Sequence, residues 1–286
     1  MYRSPEGDRT YLVKDRTVYV KDRQSGKFWT LGWDPVRLPF EHYRCCHGLG
    51  YTRLEMNNDG LEGTWTVLAA AEAPVELWRV KLRNGSDRPR QVSIYPYVEF
   101  DLRGFDVYCN MENSILTEVA EDSRTIYAIN KANERPDAKN SCFMAIDVQP
   151  VAFQTSKKFF LGGAYGSLAC PAQIQEEKLP SFATANEDLV GVFQVDQTLE
   201  PGQEVQFNIV IGPFQVRALE RVFCPRARVS VAVTHARRRA LAQEGQADKK
   251  GRKAAARERG DERLPHRKPR QSEAVQKDDR ARPRFG

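Results

Sequence analysis

The sequence predicts an all-β chain, antiparallel sheets packed face to face as a sandwich, on three observations. Short runs of β-branched and aromatic residues recur about every ten positions. Gly, Pro, Asn and Asp, the residues that suit tight turns, separate those runs. In VELWRVKLRN the residues Glu76, Trp78, Val80 and Leu82 alternate with Val75, Leu77, Arg79, Lys81 and Arg83, so a mostly apolar face backs one that turns polar. That alternation is expected of a strand that meets the core on one side and water on the other.

Taken in order, strands are expected at 17–21, 27–31, 50–56, 64–70, 75–83, 91–100, 124–130, 142–149, 189–198 and 204–211. These are too many for one flat sheet. Asn57-Asn58-Asp59-Gly60 supplies residues tolerant of positive φ between two strands, and Glu200-Pro201-Gly202 does the same before the last; both read as hairpins. Between 162 and 187 the alternation lapses into GGAYGSLACPAQI and a polar stretch, which reads as a long loop with at most a short helical turn.

Charge divides the chain in two. Residues 215–286 hold 21 Lys and Arg against 9 Asp and Glu, so the first 214 carry a net charge of −6 although the whole chain is +6. Of the aromatic residues only Phe223 and Phe285 lie beyond position 214. The expected organisation is therefore a β-sandwich domain over 1–214 and a basic, low-complexity tail over 215–286. So little apolar area cannot offset the entropy of ordering, and disorder or a marginal helix over 236–259 is expected there. The tail's charge could attract phosphate backbones, but without stacking aromatics no specific nucleic-acid partner is expected.

Several functional classes are absent from the motifs: there is no GxSxG, Walker loop, HExxH or GxGxxG. The six cysteines, at 45, 46, 109, 142, 170 and 224, form no CxxC pair, so no disulfide framework is expected. Cys45-Cys46-His47 is not joined by a second cluster that would complete four ligands; these read as plain, partly buried thiols, with no metal and no cofactor. The N-terminus has no apolar leader and no apolar run approaches a membrane span, so a soluble, cytoplasmic protein without a membrane partner is expected.

Glu99 and Asp101 share a strand face and are the most tempting acid pair for glycoside chemistry, yet such a pair reads first as a solvated edge. Trp65 and Trp78 sit mid-strand and read as core. Trp29 and Trp33, near a Gly and a Pro, are expected to be partly exposed, where a sugar ring could stack.

A resemblance adds to this. VKDRQSGKFWTLGWDPVRLPFEHYRCCHGLGYTRLEMNNDG, at 20–60, resembles the pattern of glycoside hydrolase family 94, formerly glycosyltransferase family 36: His47, Gly48, Leu49, Gly50, Tyr51, Thr52 and Arg53 match its H-G-L-G-Y-T-R, while Cys46 stands where Arg is usual. PVELWRVKLRNGSDRPRQVSIYPYVEF and EVQFNIVIG extend the similarity over about 17–212. The resemblance implies an N-terminal β-supersandwich of galactose-mutarotase-like type, as in cellobiose and chitobiose phosphorylases and cyclic β-1,2-glucan synthases. It implies as partners a carbohydrate, a β-glucoside or chito-oligosaccharide, with inorganic phosphate, and a homodimer to which the sandwich contributes contacts. Catalysis would lie in a following (α/α)6 barrel that this sequence lacks, so no catalytic residue is assigned. His47, Tyr51, Arg53, Trp29 and Trp33 are the carbohydrate-contact or motif candidates. The loop at about 102–114 corresponds to one that approaches the sugar, with Asn113 where a basic residue is usual. Beyond 214 the composition resembles out-of-frame translation, and a reading-frame break there is expected.

Overall fold

The computed structural model describes residues 16–71, 73–100, 102, 115–130 and 141–213. Asn113, Asp101 and the whole basic tail lie outside the described residues.

The described strands are Arg16–Asp22 (β1), Phe28–Thr30 (β2), His42–Gly48 (β3), Tyr51–Asn58 (β4), Leu61–Ala69 (β5), Glu76–Asn84 (β6), Arg90–Phe100 (β7), Ile115–Val119 (β8), Thr125–Asn130 (β9), Ser141–Ile146 (β10), Ala152–Ser156 (β11), Leu189–Leu199 (β12) and Glu204–Pro213 (β13). They form a five-stranded sheet in the order β11-β12-β7-β1-β2 and an eight-stranded sheet in the order β3-β4-β5-β6-β13-β10-β9-β8. Every pairing is antiparallel. Two short helices, Lys157–Leu161 (α1) and Ala172–Gln175 (α2), interrupt the segment between β11 and β12.

The alternation read in the sequence becomes the partition between two sides of each sheet. Val18, Val20, Ile94, Phe193, Trp78, Val80, Leu82, Phe207 and Ile209 point into one core between the sheets. On the opposite side of the five-stranded sheet, Tyr19, Tyr95, Tyr97, Val190 and Val192 meet Phe160, Leu161, Ile174 and Leu179 from the β11–β12 connection. Both faces of this sheet are therefore dry, which explains the near-continuous burial along β1, β7 and β12.

One buried cation ties the sheets together. Arg90 on β7 donates to the carboxylate of Asp22 on β1 at 3.1 Å, and to the backbone carbonyl and carboxylate of Asp59, in the turn between β4 and β5, at 2.7 and 3.0 Å. Arg90 and Asp22 are each 1% exposed. Burial alone would raise the Asp22 carboxyl, but the Ser25 hydroxyl, the Gln24 N–H and Arg90 outweigh it and hold the group below the usual carboxylate range.

Two turns repay comparison. Asp59 and Gly60 adopt φ of 51° and 72° and close the β4–β5 hairpin, as the sequence predicts. The turn at Glu200-Pro201-Gly202 is present, with the Gln203 N–H donating to the Glu200 carbonyl, but it is not a hairpin: β12 belongs to the five-stranded sheet and β13 to the eight-stranded one. The chain changes sheets at this corner. β3, β8 and β11 are strands that the sequence pattern does not reveal. β3 (HYRCCHG) is polar and exposed almost throughout, so it carries no apolar alternation to read. The predicted 142–149 strand stops at Ile146, because the Asp147 carboxylate accepts from the backbone and side-chain N–H groups of Asn208 on β13, both at 2.7 Å.

Candidate functional site

The segment between β11 and β12 is the predicted loop, and it is better ordered than a loop. Ser156 caps α1 by accepting from the Phe159 N–H at 3.1 Å, and the left-handed Gly162, φ 88°, ends it. The chain then folds back tightly: a Cβ on Gly166 would lie 2.2 Å from the Leu161 carbonyl oxygen, so only glycine fits. Tyr19 reaches out of the sheet to donate to the Leu168 carbonyl at 2.9 Å, and Lys21 donates to the Gln175 and Glu176 carbonyls at 2.9 and 3.0 Å. Desolvation, reinforced by Arg23, lowers the Lys21 ammonium from its ordinary value.

A cavity of about 1000 Å³ lies between this segment and the Asp34–Arg37 turn after β2. Arg37, Lys157 and Lys158 line it together with Asp34, Glu187 and Asp188, and Pro35, Val36, Leu161 and Leu168 add apolar wall. The Arg37 Nε donates to Asp34 at 2.6 Å. Lys157 is ion-paired with Glu99 at the end of β7, and both side chains are largely buried. Glu99 also accepts from the Tyr97 hydroxyl, whose ionisation is pushed well upward, first by burial and then by Glu99 itself. Glu99 is thus not the solvated edge carboxylate the sequence suggests but the counter-ion of Lys157. Equal numbers of cations and carboxylates give the cavity donors and acceptors without a dominant sign, which suits a neutral polyhydroxylated ligand better than a charged one.

The sequence-predicted residues lie elsewhere. His47, Tyr51 and Arg53 are on the β3–β4 hairpin, whose tip is Leu49-Gly50. Register pairs His47 with Thr52, Cys46 with Arg53 and Gly48 with Tyr51. His47 therefore projects from one face, while Tyr51 and Arg53 share the other, the guanidinium 5.8 Å from the Tyr51 ring centre. Trp29 is 1% exposed within the inter-sheet core, which corrects the expectation of partial exposure: β2 pairs with β1 and turns that ring inward. Trp33 is 47% exposed and packs edge-on against Phe40, which stacks on Tyr43. None of these residues lines the cavity. The Gly-rich run at 162–166 was the signal for it, but the cavity's walls come from stretches more than a hundred residues apart.

Among the described residues no three His, Cys, Asp or Glu side chains group to hold a metal. Among the described residues no helix is long and apolar enough to cross a membrane.

The family model described as the glycosyl hydrolase 94 supersandwich domain matches residues 12–244. The chain belongs to that family. The match continues beyond residue 214, where the composition changes. Similar proteins include solabiose phosphorylase of Paenibacillus borealis, 37% identical over 214 residues, and N,N'-diacetylchitobiose phosphorylase of Vibrio furnissii, 25% identical over 222 residues. Each alignment covers 74% of this chain and 28% of the relative. A cyclic β-(1,2)-glucan synthase of Rhizobium meliloti is 30% identical over 210 residues, which is 7% of its length. The supersandwich thus spans little more than a quarter of the phosphorylases it matches.

Proposed function

We propose that this chain is the accessory supersandwich of an inverting sugar phosphorylase or glycosyltransferase acting on β-linked disaccharides or oligosaccharides, and that it contacts carbohydrate without performing the reaction. The observation that carries this reading is the alignment with phosphorylases over only 28% of their length, and Glu99, the carboxylate that the sequence singles out, is engaged by Lys157. Phosphorolysis needs a general acid at the glycosidic oxygen and a phosphate nucleophile on the opposite side of the anomeric carbon. Glu99, the most tempting acid in the sequence, is held as an ion pair.

The sugar contact is assigned to the cavity. Asp34, Glu187 and Asp188 can accept from sugar hydroxyls and Lys158 can donate to them, while Leu161 and Leu168 face the apolar C–H surface of a ring. Trp33 on its exposed ledge is a secondary stacking position. The partner in the reaction is a catalytic barrel, with inorganic phosphate bound there, and a cytoplasmic location is consistent with intracellular sugar phosphates as products.

The test is a pair of measurements on the same full chain with cellobiose and with N,N'-diacetylchitobiose. Phosphate consumption should be absent, and calorimetric titration should show saturable binding that Lys158→Ala and Asp34→Ala each weaken. Turnover would overturn the accessory role in favour of a complete small enzyme.

A further inference from the structure

We infer that Cys45 and His47 form half of a zinc site which a second copy of this chain completes. Cys45 and His47 are exposed on β3, the outermost strand of the eight-stranded sheet among the described residues. At i and i+2 they project from the same face, and the Cys45 Sγ lies 3.4 Å from the His47 Nε2. A tetrahedral zinc ion with bonds of about 2.3 Å to sulfur and about 2.0 Å to nitrogen holds those two atoms about 3.5 Å apart. The pair is therefore spaced as a chelate before any metal arrives.

The other ring nitrogen is also prepared. His47 Nδ1 lies 3.0 Å from the Thr52 hydroxyl oxygen. With Nδ1 protonated and donating to Thr52, the Nε2 lone pair faces Cys45, which is how a ligating histidine is usually oriented by its outer partner. Among the described residues one chain supplies two ligands and no third, and the closure inferred is a second copy.

The strand edge supplies the symmetry. In a hairpin with a two-residue turn, Gly48 and Tyr51 form the hydrogen-bonded pair next to the turn, so the backbone N–H and C=O groups of His47 and Cys45 point away from β4. An antiparallel approach of a second β3 with its two-fold axis at Cys46 pairs Cys45 with the copy's His47, and His47 with its Cys45, through those outward groups. Directly opposed residues have Cβ atoms about 5 Å apart, which places two thiolates and two imidazoles on one face around a common point. The same register brings Leu49, wholly exposed at the hairpin tip, beside the copy's half-exposed Tyr43. Apolar contact thus flanks the four ligands on both sides. Cys46 lies on the opposite face of the sheet and takes no part. This site is independent of the sugar reading, and neither Cys45 nor His47 lines the cavity.

The experiment adds zinc chloride alone to the full chain, purified with chelator and dialysed, and follows metal binding by calorimetry and mass by light scattering. One zinc per two chains and a doubled mass are expected. Both should be lost in Cys45→Ser and in His47→Gln and kept in Cys46→Ser, while Thr52→Val should weaken zinc binding about 10- to 100-fold. Cobalt in place of zinc should give the intense visible bands of a tetrahedral thiolate site. No binding, one zinc per chain at unchanged mass, a doubling that ignores zinc, or binding that survives Cys45→Ser would each overturn the proposal. All four side chains to be changed lie on the exposed hairpin, so circular dichroism of each variant should match the parent.

Discussion

The β3–β4 hairpin and the outer face of the five-stranded sheet carry the two kinds of information this chain holds, and they are opposites. The hairpin contains the seven residues that identify the family, yet β3 is exposed almost throughout and touches little. The covered sheet face contains no motif, yet Tyr19, Tyr97 and Phe160 interlock there, with ring centres 5.4 to 6.3 Å apart, and fasten the segment that walls the cavity. A surface hairpin whose sequence matches a family pattern, and of which only Leu54 and Met56 on β4 reach the core between the sheets, points to contacts outside the chain. A buried face assembled from unremarkable residues points to stability and to shaping a pocket.

The contrast is broken most forcefully by disturbing the buried side. Arg90→Ala leaves the Asp22 carboxylate buried and unpaired and removes the link to Asp59, and should cost about 3–5 kcal/mol in urea unfolding. Gly166→Ala should cost about 1–3 kcal/mol, since its methyl would collide with a backbone oxygen, and hydrogen exchange should rise first in 157–188. Substitutions on the hairpin such as Cys45→Ser or Leu49→Ser should change stability by no more than about 0.5 kcal/mol.

Titration sharpens the same comparison. The folded Asp22 carboxyl lies below its unfolded value, so its contribution is fully present above the unfolded value near pH 4 and is lost as pH falls through the folded one. Asp22→Asn should flatten the acid limb of a stability curve below about pH 4 while lowering the plateau. Thiol chemistry distinguishes the regions more gently: burial pushes the Cys142 thiol up to about 12, so alkylation at pH 8 followed by peptide mass analysis should find Cys45 and Cys170 modified quickly and Cys142 only after unfolding.

How much of this was legible depends on how local the determinant is. The β4–β5 hairpin could be read because Asp59 and Gly60 impose their turn by themselves. Glu200-Pro201-Gly202 has the same chemistry, but whether the following strand folds back or changes sheet depends on pairings with β7 and β6, about a hundred residues earlier, which hold β12 and β13 in different sheets. Trp29 was misplaced for a related reason: its Gly and Pro neighbours describe the turn after it, while pairing of β2 with β1 decides which way the ring points. The cavity was invisible because Asp34, Lys158 and Asp188 meet only in three dimensions. The domain's end is where composition and kinship differ, residue 214 against residue 244, and limited proteolysis with mass analysis will show which marks the compact unit.

The most direct test of the central claim is calorimetric titration of the full chain with a β-linked disaccharide, in the presence and absence of inorganic phosphate. Saturable binding, unchanged by phosphate, weakened by Lys158→Ala and accompanied by no phosphorolysis, is the expected result. Binding that ignores the cavity variants, or consumption of phosphate by this chain alone, would contradict it.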